Sequence, residues 1–312
     1  MADRQRRQSR FPEGSLWALI QERARLAQQH GAIYPIQTSC EVIEDRGIPF
    51  IIRLVVHLAY KEIAVSWPRA TGRTADSHRV DPFFPPYDPY LYVTDISVTH
   101  VCLLNKFNVL DHHILIVTRD FEDQTWMLTV QDFEALRRCM TEFPGLGFYN
   151  SGPQAGASQS HRHLQMVPLP LTPESPVIPI ERAFQDLAPT QGLNVLSRLP
   201  FAHVLATVDP QWWKQAQTGA QALHNHYEAM LTATGLLSTM PAPRDSLPPY
   251  NLLVTQEWML LVPRSQECFE GISINALGFA GMFLVKDQQQ HYTIKQHGPL
   301  KALQHVGIRP MT

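Results

Sequence analysis

Two histidines and a glutamine alternate in the run His161-Arg162-His163-Leu164-Gln165. In an extended chain alternate side chains share a face, so His161, His163 and Gln165 project together while Arg162 and Leu164 point the other way. A neutral imidazole nitrogen is a good nucleophile near pH 7 when a hydrogen bond to a carbonyl orients the other ring nitrogen. An amide neither ionises nor supplies a mobile proton, so Gln165 can only donate or accept hydrogen bonds. Just upstream, Ser151, Gly152, Gly156, Ala157, Ser158 and Ser160 make a small-residue loop able to bring backbone N–H groups close to a phosphate. Taken alone, a His-x-His pair is more often two metal ligands or two satisfied half-buried side chains than a catalytic pair. The spacing leaves all three readings open.

A nucleophile and an anion loop need elements to hold them. Ser15 offers an N-cap to a run with helical periodicity that reaches His30, which predicts a helix. Residues 50–60 are rich in β-branched side chains and predict a buried strand that ends at Lys61. Residues 66–90 hold too many prolines to ladder in a sheet and are expected to form a loop packed by its aromatics. Residues 97–120 read as two strands joined by a turn. Thr129 and Asp132 then open a short helix in the manner of a capping box, and the strand with the two histidines stops at Pro168. A proline-rich, polar stretch over 172–190 marks a boundary between lobes. The expected organisation is a flexible basic tail over 1–12, a first lobe over 13–190 and a second over 191–312. The second lobe is expected to carry one helix over 211–235 and strand-like runs at 250–263 and 278–287.

Hydrophobic residues are 44% and charged residues 17% of the chain, which excludes wholesale disorder. With 26 basic against 28 acidic residues the formal charge is −2, so no global field draws the protein to nucleic acid or anionic lipid. No apolar run approaches the ~18 residues a membrane helix needs. The N-terminal tail carries Arg4, Arg6, Arg7 and Arg10 without the apolar segment of a secretory signal. Cys40, Cys102, Cys139 and Cys268 are scattered, which argues against a disulfide scaffold and a structural zinc site. A cytoplasmic protein with no nucleic-acid partner, no membrane partner and no metal-ligand set of its own is expected.

The complete stretch NSGPQAGASQSHRHLQ, residues 150–165, resembles the active-site segment of the histidine-triad superfamily of nucleotide hydrolases and transferases, and Gln165 in the third position is similar to the transferase branch. The chain more closely resembles the ATP adenylyltransferases, also called diadenosine tetraphosphate phosphorylases. That similarity extends to the strand ending in Lys61, to LNKFNVLDHHILIVTRDFEDQ, to YNLLVTQEWMLLVPRSQE and to ISINALGFAGMFLVKD. It implies an α+β fold, with a histidine-triad-like antiparallel sheet, flanking helices and a C-terminal lobe that completes the nucleotide site. It further implies that His163 attacks an adenylyl α-phosphorus to form adenylyl-histidine, that Gln165 hydrogen-bonds the α-phosphate, and that His161 supports the loop and strand. Asn150, Gly156, Ala157, Ser158 and Gln159 match the family's phosphate- and ribose-contacting loop. Lys61, Asn105 and Lys106 fall at its polyphosphate-binding positions, and Asn275, Ala276, Leu277, Met282 and Lys286 at similar contacts. His112 and His113 are adjacent, cannot both enter one site, and are expected to be structural.

The reaction implied is reversible phosphorolysis of diadenosine tetraphosphate by inorganic phosphate to ATP and ADP, with adenosine phosphosulfate as a side substrate. A divalent cation, magnesium or manganese, would arrive with the polyphosphate; no organic cofactor is implied, and a monomer is expected. Two alternatives stand beside this reading. One is another transferase or hydrolase of the superfamily, such as a uridylyltransferase, although those typically have proline where this chain has Arg162. The other is a dinucleotide-binding regulator without turnover.

Overall fold

The computed structural model describes residues 11–56, 81–173, 177–184, 192–237 and 245–310. Lys61, the end of the strand expected over 50–60, most of the basic tail and much of the 172–190 stretch lie outside the described residues. Helix α1 (Leu16–Gln29) leads into a hairpin of β1 (Thr38–Asp45) and β2 (Ile48–Val55). Arg46 and Gly47, at φ 53° and 75°, make its turn, so β2 begins two residues before the apolar run that announced it. The main body follows as β3 (Tyr92–Asp95), β4 (His100–Leu104), β5 (Ile114–Thr118), helix α2 (Val130–Met140), β6 (Gly145–Asn150) and β7 (His163–Pro168). Next come β8 (Leu193–Asn194), β9 (Val204–Thr207), α3 (Pro210–Lys214), α4 (Ala216–Ala233), β10 (Tyr250–Val254) and β11 (Trp258–Pro263). The chain closes with β12 (Cys268–Phe269), β13 (Ile272–Ser273), α5 (Ala276–Phe279), β14 (Met282–Val285), α6 (Gln288–His297) and α7 (Pro299–Val306).

Among the described residues nine strands form one sheet in the order β3-β4-β5-β7-β6-β10-β11-β9-β8, and every neighbouring pair is antiparallel. The fold is therefore α+β around a large antiparallel sheet. The two halves of the chain meet at β6 and β10, from Asn150↔Asn251 to Gly147↔Val254, so both halves share this sheet. One face is covered by α1, α2 and α4, whose Ile20, Phe133 and Tyr227 pack with Leu164 and Met166 of β7. On the other face Phe148 and Val167 meet Phe50, Phe279 and Leu303, and a separate small cluster joins Phe83 to Val101, Leu103, Leu115 and Val117. His163 and Gln165 alternate with Leu164 and Met166 and emerge on this second face, between its two apolar clusters. Among the described residues no helix is long and apolar enough to cross a membrane.

Two expected elements differ in detail. The helix expected over 211–235 breaks at Gln215, whose extended backbone (φ −100°, ψ 113°) separates α3 from α4. The run over 278–287 begins helically, because the Asn275 side chain accepts the Leu277 N–H at 2.9 Å and caps α5; its strand starts only at Met282. At α2 the Thr129 N–H and hydroxyl both donate to Asp132 Oδ2 at 2.7 Å, which is the expected capping arrangement with Asp in place of Glu.

Candidate active site

β7 starts at His163 because a side chain intervenes there. β6 and β7 ladder from Gly145↔Pro168 to Phe148↔Gln165 and then part. Gln124 fills the gap: its Oε1 accepts the His163 N–H at 2.8 Å, and its Nε2 donates to the carbonyls of Asn150 at 2.9 Å and His163 at 3.1 Å. One buried amide thus satisfies backbone groups that would otherwise need a ladder. The wedge is itself tied down, since Tyr149 Oη donates to the Gln124 carbonyl and the Gln124 N–H donates to Ser160 O at 2.8 Å.

The two histidines are built differently. His163 Nδ1–H donates to the carbonyl of His161 at 2.9 Å, which fixes the tautomer and leaves Nε2 bare. Burial pushes its pKa down from 6.5 to about 4, against the opposing pull of that backbone bond. The ring is neutral at pH 7. His161 has both nitrogens engaged: Nε2–H donates to Thr118 O at 2.8 Å, and Nδ1 meets Asp81 Oδ2 at 2.8 Å. Its ring is packed by Phe83, Phe84 and Phe121. Among the described residues no group takes the His163 Nε2, whereas both His161 nitrogens have partners.

Gln165 and Asn150 each have their amide oxygen occupied from behind. Gln165 Oε1 lies 3.0 Å from His113 Nε2, and His113 Nδ1 lies 3.2 Å from Asn105 Nδ2. Asn150 Oδ1 accepts from Asn251 Nδ2 at 2.8 Å and from the Ala276 N–H at 2.9 Å. Asn251 Oδ1 accepts from Arg264, a buried guanidinium that also donates to the carbonyls of Ile274 and Gln266 at 2.8 Å. Burial lowers the Arg264 pKa to about 10, so it stays charged. Among the described residues no group takes either amide nitrogen.

Arg162 faces the opposite side of the sheet, where it pairs with Glu122 and, at 3.2 Å, with Asp132. Burial alone would raise the Asp132 carboxyl, but the His100 hydrogen bond and the Arg162 charge outweigh it and hold the group well below the usual carboxylate range. The residue that distinguishes this motif from the proline-containing one is therefore part of a buried charge cluster.

The structure brings part of the anticipated set together. His161, His163, Gln165 and Asn150 are buried together. Gly156 backs onto Asn275, leaving a Cβ there only 2.8 Å from the Asn275 Cβ, and Ala276 bonds Asn150, so the C-terminal half reaches the site through the start of α5. Within the loop the N–H groups of Ala155, Gly156 and Ala157 are spent on its own turn. The Ser151 hydroxyl is buried with no partner among the described residues, and Ser158 is exposed. Asn105 lies one step behind Gln165, through His113. Lys106 is exposed beside the Tyr34 ring, 5.5 Å from its centroid, Met282 sits in the second-face core, and Lys286 is exposed just beyond β14. Gln124, Asp81, Asn251, Arg264 and the linking role of His113 were not singled out by sequence reasoning. Among the described residues no three His, Cys, Asp or Glu side chains are grouped to hold a metal ion.

Comparison with known proteins gives a consistent picture. Residues 6–186 match the Ap4A phosphorylase N-terminal domain, and residues 197–309 match the ATP adenylyltransferase C-terminal domain. Diadenosine 5',5'''-P1,P4-tetraphosphate phosphorylase 2 of Saccharomyces cerevisiae is 29% identical over 245 residues, 70% of this chain and 73% of that protein. Protein APA1 of the same yeast is 26% identical over 292 residues, 87% of each chain. The crystal structure of yeast Ap4A phosphorylase Apa2 in complex with Ap4A shares the fold at a TM-score of 0.76 and 22% identity, covering 97% of this chain and 100% of that one. Its complex with AMP gives a TM-score of 0.75 at 24% identity, covering 96% and 98%.

Proposed function

The chain belongs to the Ap4A phosphorylase family, and from that membership we propose that it cleaves diadenosine tetraphosphate with inorganic phosphate, giving ATP and ADP, by way of an AMP group carried on His163. The observation that carries the reading is the bare Nε2 of a buried, neutral His163 beside two amides, Gln165 and Asn150, whose nitrogens face outward.

In the first step Nε2 attacks the α-phosphorus. The N–P bond forms, the bridging Pα–O bond breaks, and ATP leaves with the electron pair. The ring becomes cationic, and the Nδ1–H bond to the His161 carbonyl stabilises that charge. In the second step an oxygen of inorganic phosphate attacks the same phosphorus, the N–P bond breaks, ADP leaves and the neutral ring returns. The same steps in reverse make the dinucleotide. Gln165 and Asn150 would donate to the phosphoryl and ribose oxygens, where aligned donors stabilise charge that develops in the transition state. A magnesium or manganese ion would enter on the polyphosphate oxygens, since no described ligand set fits one. The free thiols, Cys40 among them exposed, suit a reducing cytoplasm. One chain supplies every group named, so a monomer suffices.

The test is the phosphate dependence of product formation. ATP and ADP should appear only with phosphate present; ATP and AMP appearing at the same rate without it would show a hydrolase. Replacing His163 by Asn should lower turnover by about three orders of magnitude or more while dinucleotide binding survives. An acid-labile AMP adduct on the His163 peptide should be trapped in the wild type.

A further inference from the structure

We propose that His113 is a positioning residue that sets which end of the Gln165 amide faces the reacting phosphate; this rests on the phosphorolysis reading for its chemical meaning, although the geometry stands by itself. The chain of hydrogen bonds begins at a group that can only donate. The Phe107 N–H donates to Asn105 Oδ1 at 3.0 Å, so the other end of that amide, Nδ2, is the end turned to His113. A –NH2 group only donates. His113 Nδ1, 3.2 Å away, must therefore accept, and in a neutral ring the proton sits on Nε2. Nε2–H then donates to Gln165 at 3.0 Å. The Gln165 atom that receives it has to be the oxygen, which leaves Nε2 of Gln165 as the outward end. No acceptor among the described residues takes that nitrogen.

A backbone N–H thus dictates, through one asparagine and one imidazole, the orientation of an amide on the nucleophile's own strand. Nothing in this chain of bonds can be reversed, because its first donor cannot accept. The position of His113 makes this possible. Asn105 and His113 close the β4–β5 connection, where the Asn105 N–H donates to His113 O at 2.9 Å, and Leu115, two residues on, pairs with Gln165 across the sheet. His112 turns away, at φ 58°, to lie against Trp17 with ring centroids 5.0 Å apart. His113 turns inward against Phe148 and is buried. An imidazole that merely filled this space would do so less well than an aliphatic side chain, because its desolvation has to be offset by hydrogen bonds. Here both nitrogens have partners of fixed polarity. The two rings near Gln165 and the nucleophile consequently carry opposite tautomers, Nε2–H on His113 and Nδ1–H on His163. A Gln165 amide without its rear donor is free to turn its oxygen toward the phosphate or to shift by a fraction of an ångström, and either change weakens a transition-state contact.

The first measurement needs no substitution. Nitrogen-15 NMR of histidine-labelled wild-type protein should show the His113 ring neutral, with Nε2 protonated and Nδ1 bare; the opposite tautomer overturns the proposal. The second compares His113→Gln with His113→Met, which are alike in length and differ in that only glutamine can donate. In single-turnover formation of the His163 adduct, His113→Met should be slowed about 10- to 100-fold with little change in KM, and His113→Gln should stay within about threefold of wild type. In a Gln165→Ala background the His113→Met loss should shrink to about twofold or less, as expected for residues acting as one unit. Equal activity of both variants, or a His113→Met loss that persists in full on top of Gln165→Ala, overturns it. Should the wild type form no ATP and ADP with phosphate, the functional reading fails, and the NMR result still decides the relay.

Discussion

Acidification should destabilise this protein through its two site imidazoles, by an amount that can be worked out. Burial lowers both His163 and His113 from 6.5 to about 4. Because both values are lower in the fold than in the unfolded chain, the unfolded chain binds more protons between roughly pH 4 and 6.5, and stability falls as pH falls through that window. At pH 5 an unfolded histidine is about 97% protonated and a folded one held near 4 about 9%, so each ring is worth about 2 kcal/mol of lost stability relative to pH 7.5. The pair is worth about 4 kcal/mol, a large share of the 5–15 kcal/mol typical of a folded domain. The charge of His163 also acts on His113, so removing one ring partly relieves the other. His203 and His226 are also lowered by burial, but they are common to every variant and cancel in a difference. Asp132, held low, matters only below its ordinary range, outside this window. Urea melts at pH 7.5 and pH 5 on wild type and on the double variant His113→Gln/His163→Asn provide the assay. The wild type should lose about 4 kcal/mol more than the variant between the two pH values. An equal loss in both would refute the claim that these rings are neutral in the fold.

Further outcomes follow from single sites. Gly156→Ala should lower both stability and kcat/KM, because the residue sits at φ +89° and its new Cβ would lie 2.8 Å from the Asn275 Cβ and 3.0 Å from its Cα; melting and steady-state assays check this, and an unchanged enzyme would mean that loop and α5 do not press on each other. Arg264→Met should cost about 3 kcal/mol or more, since it strands Asn251 and several buried carbonyls; a melt unchanged from wild type would refute it. Fragments 1–190 and 191–312 should fail to fold separately and regain activity when mixed, because the β6–β10 pairing and the Asn150–Asn251 bond cross between them; a well-dispersed NMR spectrum from either alone would refute this.

The strand face was legible because a two-residue alternation of His, His and Gln needs no tertiary information to place three side chains on one side. The α2 cap was legible for the same reason, since Thr129 and Asp132 meet locally. What could not be read were partners distant in sequence. Gln124 ends a run whose resemblance was noted, yet nothing local says that its side chain replaces ladder bonds between β6 and β7, which begin 21 and 39 residues later. Asp81 and Arg264 read as ordinary charges until the fold brings them to His161 and Asn251. The prediction that His112 and His113 would diverge rested on strand alternation; they do diverge, but ahead of β5, and His113 gains a role that alternation could not assign. The strand-like run over 278–287 misled because Asn275, just before it, caps a short helix.

Gln124 gives the strictest test of how the site is held. In a continuous ladder Tyr149 and Asn150 would pair with Leu164 and His163, whose register simply continues from Phe148↔Gln165. That pairing would carry the β6–β7 ladder on to His163 and close the gap at its end. The amide of Gln124 prevents this without leaving backbone groups unsatisfied, because it offers one acceptor to the His163 N–H and two donors to the carbonyls of Asn150 and His163. Gln124→Met keeps the length and removes all three bonds. At about 1 kcal/mol or more for each stranded group, the cost should be about 3 kcal/mol. The His163 N–H should then exchange with solvent faster than in wild type relative to the amides of the rest of β7, and turnover should fall at least tenfold as the nucleophile loses its fixed strand end. Gln124→Glu keeps the acceptor but turns both donors into a carboxylate oxygen facing two carbonyls, so it should be no better than methionine. If either variant melts, exchanges and turns over like wild type, the parting of β6 from β7 has another cause.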